Sequence, residues 1–354
     1  MRTAIPCVSL PVQASFDPGG RIGRVVRSGP HWIVTMYESR ESFLLDELLG
    51  EVRRYDMGTC ADRYVLPTVA SSALGELFVI CQRDRVCVFD SDGQLAYEWA
   101  HDPWNKFTNG AAAFTADGER VWIVFPTSSG SSELVLVRIG TWKVLARTQL
   151  DSYWGAHEIY PQPGTARIVV ESAEGQDGPR TWIAEERAGA IVTTPLDAEC
   201  DRVFGSLDPE GREFVSVSHH RGDGLTIHEF PSGRVLATLQ EAAVEAGSRE
   251  FGFSSGFLSH ARVLAETREM RLLLLERAAL LPIAEVLPEG YSVRGYDEHG
   301  KPTTVEDEIV DYESDVSGWY VASANQLLTV HRQRVLHLSR IPPLAKSGTT
   351  EAHD

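Results

Sequence analysis

The side chains best suited to chemistry in this chain form two groups. His157 and Glu158 are adjacent in the run DSYWGAHE, and Glu171 follows in a later apolar run. An imidazole beside carboxylates could work as an acid–base pair or hold a metal ion. His219 and His220 are also adjacent, but neighbours on an extended strand point in different directions, so a shared metal is less natural there. A His/carboxylate site stays open, provided that the fold brings its members together.

Other signatures of catalysis are missing from the sequence. It has no GxxxxGK[ST] phosphate loop, no GxSxG nucleophile elbow and no HExxH zinc motif. The run Ser128–Ser132 lies between two predicted strands and lacks the following helix that would help to hold a phosphate. The five cysteines are odd in number and share no metal-ligand spacing. We expect no catalytic residue, no bound metal or cofactor, and a reduced cytoplasmic protein.

The charge of the chain bears on its partners. A formal net charge of -17 argues against non-specific binding to nucleic acid or to an anionic membrane, since both depend on clustered Lys and Arg. The segment Asp297–Asp315 concentrates eight carboxylates against one lysine. We interpret it as a solvated insertion, with a docking surface for a basic partner as the alternative. No signal peptide and no membrane-spanning segment are expected, because no apolar run is long enough.

Seven short apolar runs, spaced almost evenly, indicate how these residues are positioned. The spacings between corresponding positions are 45, 44, 46, 46, 49 and 57 residues, and the positions are Ile33, Phe78, Trp122, Ile168, Phe214, Val263 and Tyr320. A period near 45 with β-branched and aromatic anchors is typical of propeller blades. The sequence therefore predicts an all-β, seven-bladed β-propeller of four-stranded antiparallel blades. Residues 1–354 form a single domain in this interpretation, with a short tail at 341–354.

Each anchor run is continuously apolar, which predicts burial on both faces as the second strand of a blade. Turn signals such as TADGER and DPEGRE precede the runs, and their glycines supply the positive φ of a tight hairpin. The ring also has to close. We expect Ile5–Leu10 to share a blade with Arg334–Leu338 as its outermost strand, where Pro6 is tolerated.

The pattern resembles the WD-repeat and related seven-bladed propellers over roughly residues 20 to 340. The likeness rests on the repeat period, the Asp-Gly hairpins and the turn VCVFDSDG at Val86–Gly93. The Gly-His and Trp-Asp dipeptides of true WD repeats are absent, so the chain is similar to divergent, WD-like members. The resemblance implies a non-catalytic scaffold that binds a protein partner. The alternative is a propeller enzyme of the lactonase, hydrolase or lyase type with a site at the channel mouth.

One rim of such a propeller collects the loops between blades and between second and third strands. Exposed Trp, Tyr and Arg are enriched at binding hot spots, so this rim is the predicted binding face. Its candidate residues are Trp104, Lys106, Tyr153, Trp154, His157, His219, His220, Arg221 and Asp223. A structural alternative applies to Trp104 and Trp154, which would then plug the gap between blades three and four.

Overall fold

The computed structural model describes fourteen stretches of the chain. They are residues 7–37, 41–56, 67–105, 108–152, 155–174, 178–196, 202–219, 224–239, 251–267, 272–278, 280–288, 316–321, 326–331 and 333–341. Strands in these stretches form seven sheets. No helix in the described residues is long and apolar enough to cross a membrane.

The first three blades follow the order of the chain. Blade 1 contains β3 (Ile22–Ser28), β4 (His31–Met36), β5 (Glu41–Leu45) and β6 (Glu51–Asp56). Blade 2 contains β7 (Thr68–Ser71), β8 (Phe78–Cys81), β9 (Arg85–Phe89) and β10 (Leu95–Ala100). Blade 3 contains β11 (Ala112–Phe114), β12 (Arg120–Pro126), β13 (Ser132–Arg138) and β14 (Lys143–Leu150).

The next two blades repeat the pattern, and the last two also receive the N-terminal strands β1 (Cys7–Leu10) and β2 (Val12–Phe16). Blade 4 contains β15 (Ala156–Pro161), β16 (Ile168–Ala173), β17 (Pro179–Arg187) and β18 (Ala190–Pro195). Blade 5 contains β19 (Arg202–Leu207), β20 (Glu213–Ser218), β21 (Leu225–Glu229) and β22 (Val235–Leu239). Blade 6 contains β23 (Phe251–Ser259), β24 (Arg262–Thr267), β25 (Leu272–Glu276) and β26 (Leu281–Pro288). Blade 7 contains β27 (Val316–Val321), β28 (Gln326–His331) and β29 (Val335–Arg340), followed by β2.

This arrangement confirms the predicted seven-bladed propeller. Six of the seven anchors lie on second strands, including Trp122, which is fully buried. The seventh prediction is wrong, because Tyr320 lies on β27, the innermost strand, while the second strand is β28. An apolar run alone does not separate the two kinds of strand, since innermost strands such as β7 are also buried along their whole length.

The ring closes through the N-terminus, but not through the segment that the sequence suggested. Strand β2 pairs antiparallel with β29 and is the outermost strand of blade 7. Strand β1 instead pairs in parallel with β26 and adds a fifth strand to blade 6. The expected partnership of Ile5–Leu10 with Arg334–Leu338 is therefore wrong, and Val12–Phe16 takes that place. Its alternation of half-buried and exposed residues suits an outer strand.

The core lies between the faces of adjacent blades. One cluster joins blades 1 and 7 through residues such as Trp32, Phe43, Leu328 and Leu336. Another joins blades 3 and 4. Because every blade is buried on both sides, polar residues that sit on these faces need internal partners.

Candidate functional site

The antiparallel order of the strands sorts the turns onto two faces. We call the hairpin face the side that carries the turns between first and second strands and between third and fourth strands. The loop face carries the turns between second and third strands and the links from blade to blade. Innermost strands such as β3 and β15 start at the loop face, so residues early in them lie toward the channel mouth on that side.

An ion pair joins two innermost strands across the central channel. Arg24 on β3 of blade 1 donates from Nη2 to Oε1 of Glu158 on β15 of blade 4, at 2.6 Å. Two blades separate these strands in the ring, so the pair links opposite sides of the channel. The Glu158 side chain is 48% exposed and that of Arg24 is 23% exposed. The predicted carboxylate is therefore reachable from the channel, but it already has a cationic partner.

Strand register places Glu158 beside Glu171, as the His/carboxylate hypothesis required. The two residues are direct partners across β15 and β16. The hydroxyl of Tyr160, which points to the same face, donates to Glu158 Oε2 at 2.8 Å and lies 3.3 Å from Glu171 Oε2. Sequence reasoning missed both Tyr160 and Arg24. Alternation along β15 could have indicated Tyr160, whereas Arg24 comes from a blade distant in the sequence.

Glu171 is the buried member of this cluster. It is 7% exposed, and its Oε1 accepts the backbone N–H of Phe204 on β19 of blade 5 at 2.8 Å. Burial raises the pKa of Glu171 from 4.5 to about 8, helped by the nearby Glu158 carboxylate. The hydrogen bond to Phe204 therefore links blade 4 to blade 5, and burial favours the neutral form of the Glu171 carboxyl group.

His157 does not join the carboxylates. Successive residues on a strand point to opposite faces, so His157 lies on the side of β15 facing blade 3. Its Nδ1 donates to the carbonyl of Asn109 at 2.9 Å, and Nε2 lies 3.4 Å from the hydroxyl of Ser152. Burial lowers the pKa of His157 to about 4. Both His157 and Ser152 are fully buried, so this Ser–His pair fastens two blades and is closed to a substrate.

Trp104 is also an interior residue. It is 5% exposed and belongs to the apolar cluster of blades 3 and 4, with its ring centroid 5.4 Å from that of His157. Its placement on an exposed binding face is corrected, as is that of His157. The alternative interpretation of Trp104 as a plug between blades three and four is confirmed. The backbone N–H of Trp104 donates to the carbonyl of Arg83 at 2.8 Å, and Arg83 Nε donates to the carbonyl of Trp104 at 3.0 Å, so the chain is held at this position.

The remaining predicted face residues divide into two sets. His219 follows the end of β20 on the loop face and is partly exposed. Lys106, Tyr153, Trp154, His220, Arg221 and Asp223 lie outside the described residues, and their role on the binding face stays a prediction.

One group on the hairpin face has the residue types of a metal site. Asp208 and Glu210 come from the first hairpin of blade 5, and His260 from that of blade 6. Their ligand atoms lie within 4.8 Å of one another. However, the buried Asp208 accepts the N–H groups of Arg212 and Glu213, and Glu210 pairs with both Arg212 and His260. The arrangement works as a polar network in which His260 contacts Asp208 and Glu210 and so joins the two hairpins.

The hairpin face also carries apolar side chains that the sequence analysis did not single out. The five most exposed large ones in the described residues lie in or directly after its turns, and they are Leu74 (78%), Leu48 (66%), Leu281 (56%), Leu95 (53%) and Val235 (51%). The turns that carry Leu48 and Leu74 belong to the adjacent blades 1 and 2, and both turns lie near His31. Arg53, which follows the first turn, also donates to the carbonyl of Gly75 in the second turn at 2.9 Å. A Cβ on Gly75 would lie 3.3 Å from the His31 ring, and Asp46 and Glu47 act on the His31 pKa.

Comparison with known proteins shows the fold. No family model matches the sequence, and no curated protein matches it. Among solved structures, the chain is similar to the β-propeller domain of Cps50 (Swd1) from Myceliophteria thermophila, with a TM-score of 0.58. The sequences are 14% identical, and the alignment covers 94% of this chain and all of that domain. The chain thus has the fold of a WD-repeat-like, seven-bladed β-propeller.

Proposed function

We propose that this chain is a non-catalytic scaffold that binds protein partners through the hairpin face of blades 1 and 2. The observation that carries the proposal is the pair of exposed leucines, Leu48 and Leu74, on adjacent turns. Apolar side chains that cluster on a surface mark interaction sites more often than isolated ones do. The propeller fold is compatible with this role, since such rings commonly hold partners on their faces.

The described interior supports binding over catalysis. A propeller enzyme of the expected type would use a histidine with a carboxylate at the channel mouth. Here His157 and Glu158 lie on opposite faces of β15; His157 is bonded to the carbonyl of Asn109, and Glu158 is bonded to Arg24 across the channel. The polar groups of blade 4 thus fasten blades together, and this favours a binding role for the surface.

The test combines partner capture with matched leucine variants. Tagged wild-type protein, the double variant Leu48→Glu/Leu74→Glu and the control Leu281→Glu are used to capture proteins from the native host, and each captured protein is quantified. A charge in the centre of an interface weakens the free energy of binding by about 2 kcal/mol or more. The double variant should therefore capture at most about one tenth of the partner that the wild type captures. Leu281 is similarly exposed but lies on blade 6, so its variant should bind like the wild type.

Two results would contradict the proposal. Equal capture by the double variant would exclude this face, and Arg221→Ala would then test the predicted loop face. The purified partner must also bind the wild type directly. It should bind the double variant with a higher dissociation constant, and the circular dichroism spectrum of the double variant should match that of the wild type. If wild-type protein binds no partner in a stoichiometric amount, the scaffold function itself is wrong.

A further inference from the structure

The contacts of Tyr160 raise a question of proton count. Its hydroxyl has one hydrogen, yet it lies 2.8 Å from one carboxyl oxygen, of Glu158, and 3.3 Å from another, of Glu171. If both carboxyl groups were ionised, one of the two contacts would join two acceptors, and this is unfavourable for Glu171 because its side chain is buried. A proton on Glu171 Oε2 resolves the conflict, since it can be donated to the Tyr160 oxygen.

A single proton on Glu171 would complete a continuous chain of donors. In that state Glu171 would donate to Tyr160 over the 3.3 Å contact, while Tyr160 donates to Glu158 Oε2 and Arg24 donates to Glu158 Oε1. The remaining oxygen, Glu171 Oε1, accepts the Phe204 N–H. The Tyr160 hydroxyl and all four carboxyl oxygens then have a partner, and Arg24 lies against the remaining carboxylate. Hydrogen bonds linked in this way strengthen one another.

We propose that Glu171 holds a proton at neutral pH and makes the contacts of blade 4 with blades 1 and 5 sensitive to mildly alkaline solution. Loss of this proton leaves two carboxylates on one face of blade 4 competing for the Tyr160 hydroxyl. The second negative charge is then buried against β19, where Phe204 offers only its N–H. The device therefore loosens the channel side of the ring as the pH rises.

The surroundings of Glu171 contain few other charges among the described residues. On β15 they are Glu158 and the phenol of Tyr160, and across the channel there is Arg24. The partner on β17 is the neutral Thr181. On β19, the guanidinium of Arg202 is turned toward Ser216 and the carbonyl of Gly224. No cation in these contacts touches Glu171 directly, so burial dominates and raises its pKa to about 8.

The sign of the pH effect follows from proton linkage. The pKa of Glu171 is higher in the folded chain than its ordinary 4.5, so the folded protein binds more protons than the unfolded chain between about pH 4.5 and 8. The contribution of Glu171 to stability is therefore complete below this window and is lost as the pH rises through it. Glu171→Gln keeps an acceptor for Phe204 and a donor for Tyr160, and it cannot titrate.

Two measurements test the proposal. Infrared spectra of wild-type protein labelled with ¹³C-glutamate should show a protonated carboxyl band that shifts with the label, disappears with a midpoint near pH 8 and is absent in Glu171→Gln. Urea unfolding of both proteins from pH 5 to pH 9 should show that the free energy of unfolding falls more steeply with rising pH in the wild type than in the variant. The difference in slope should correspond to at most one bound proton. No labelled band at pH 6, or parallel stability profiles, would overturn the proposal. Should the variant not fold, the labelled wild-type titration decides alone.

Discussion

Replacing Trp104 by alanine should lower the free energy of unfolding by about 3 to 5 kcal/mol, which is the usual cost of truncating a buried tryptophan. The side chain is 5% exposed and lies in the cluster that includes Trp122, Ile168 and Trp182, from blades 3 and 4. A buried tryptophan removes about 150 to 250 Å² from water, and at about 25 cal/mol per Å² this area is worth about 4 to 6 kcal/mol. The two figures agree, and the loss is a large share of a typical total of about 5 to 15 kcal/mol.

Two control variants separate packing from surface binding. Trp104→Phe keeps an aromatic ring, and it removes an indole N–H that has no hydrogen-bond partner in the described structure, so it should cost about 1 kcal/mol. Leu74→Ala removes a side chain that is 78% exposed and should change stability by less than about 0.5 kcal/mol.

The assay is urea unfolding followed by far-ultraviolet circular dichroism, since the protein contains eight tryptophans and fluorescence would average over them. The order of stability should be wild type, Leu74→Ala, Trp104→Phe and Trp104→Ala. A Trp104→Ala protein as stable as the wild type would refute the assignment of Trp104 to the interior. It would restore this residue to the exposed binding face.

Two further predictions concern close packing and ring closure. Gly155→Ala should destabilise the protein by about 1 to 3 kcal/mol in urea unfolding, because its Cβ would lie 2.9 Å from that of Ser172 and also collide with the Ser172 hydroxyl. Gly20→Ala, which would meet only the flexible end of Met36 at 3.0 Å, is its control and should cost less; equal costs would contradict this account. Removing residues 1–16 deletes the closing strand Val12–Phe16 and should cause the protein to associate, as measured by size-exclusion chromatography with light scattering. Removing residues 1–10 leaves that strand in place and is the control. A monomeric, stable protein without residues 1–16 would show that blade 7 does not need this strand.

The sequence was sufficient for the architecture because each blade repeats one physical requirement. A second strand sandwiched between blades has to be apolar on both faces, so Ile33, Trp122 and Phe214 recur at a period near 45. The second strand of the last repeat was not identified correctly, because the innermost strand that contains Tyr320 is as apolar in sequence as a second strand. The strand that closes the ring was not identified either, because Val12–Phe16 is half-exposed and lacks the apolar run of a second strand.

The candidate site was harder to predict, because its residues come from different blades and are brought together by closure of the ring. The repeat pattern of a single blade does not specify such contacts. Glu158 and Glu171 were foreseeable as neighbours once β15 and β16 were paired. Arg24 was not, because its contact with Glu158 depends on how far the ring curves between blade 1 and blade 4. The burial of Trp104 likewise depends on the path of the link between blades 2 and 3, which local sequence does not specify.

Strand alternation explains why blade 4 can be rich in reactive residue types and still have a structural role. On β15, His157 points toward blade 3 and contacts Asn109, while Tyr160 points toward blade 5 and packs against Phe204. Adjacent histidine and glutamate on an innermost strand are therefore divided between two interfaces. A catalytic pair of this kind would need its members two residues apart, or on different strands of one face. By that criterion both carboxyl groups of blade 4 can contact the Tyr160 hydroxyl, but neither can pair with His157.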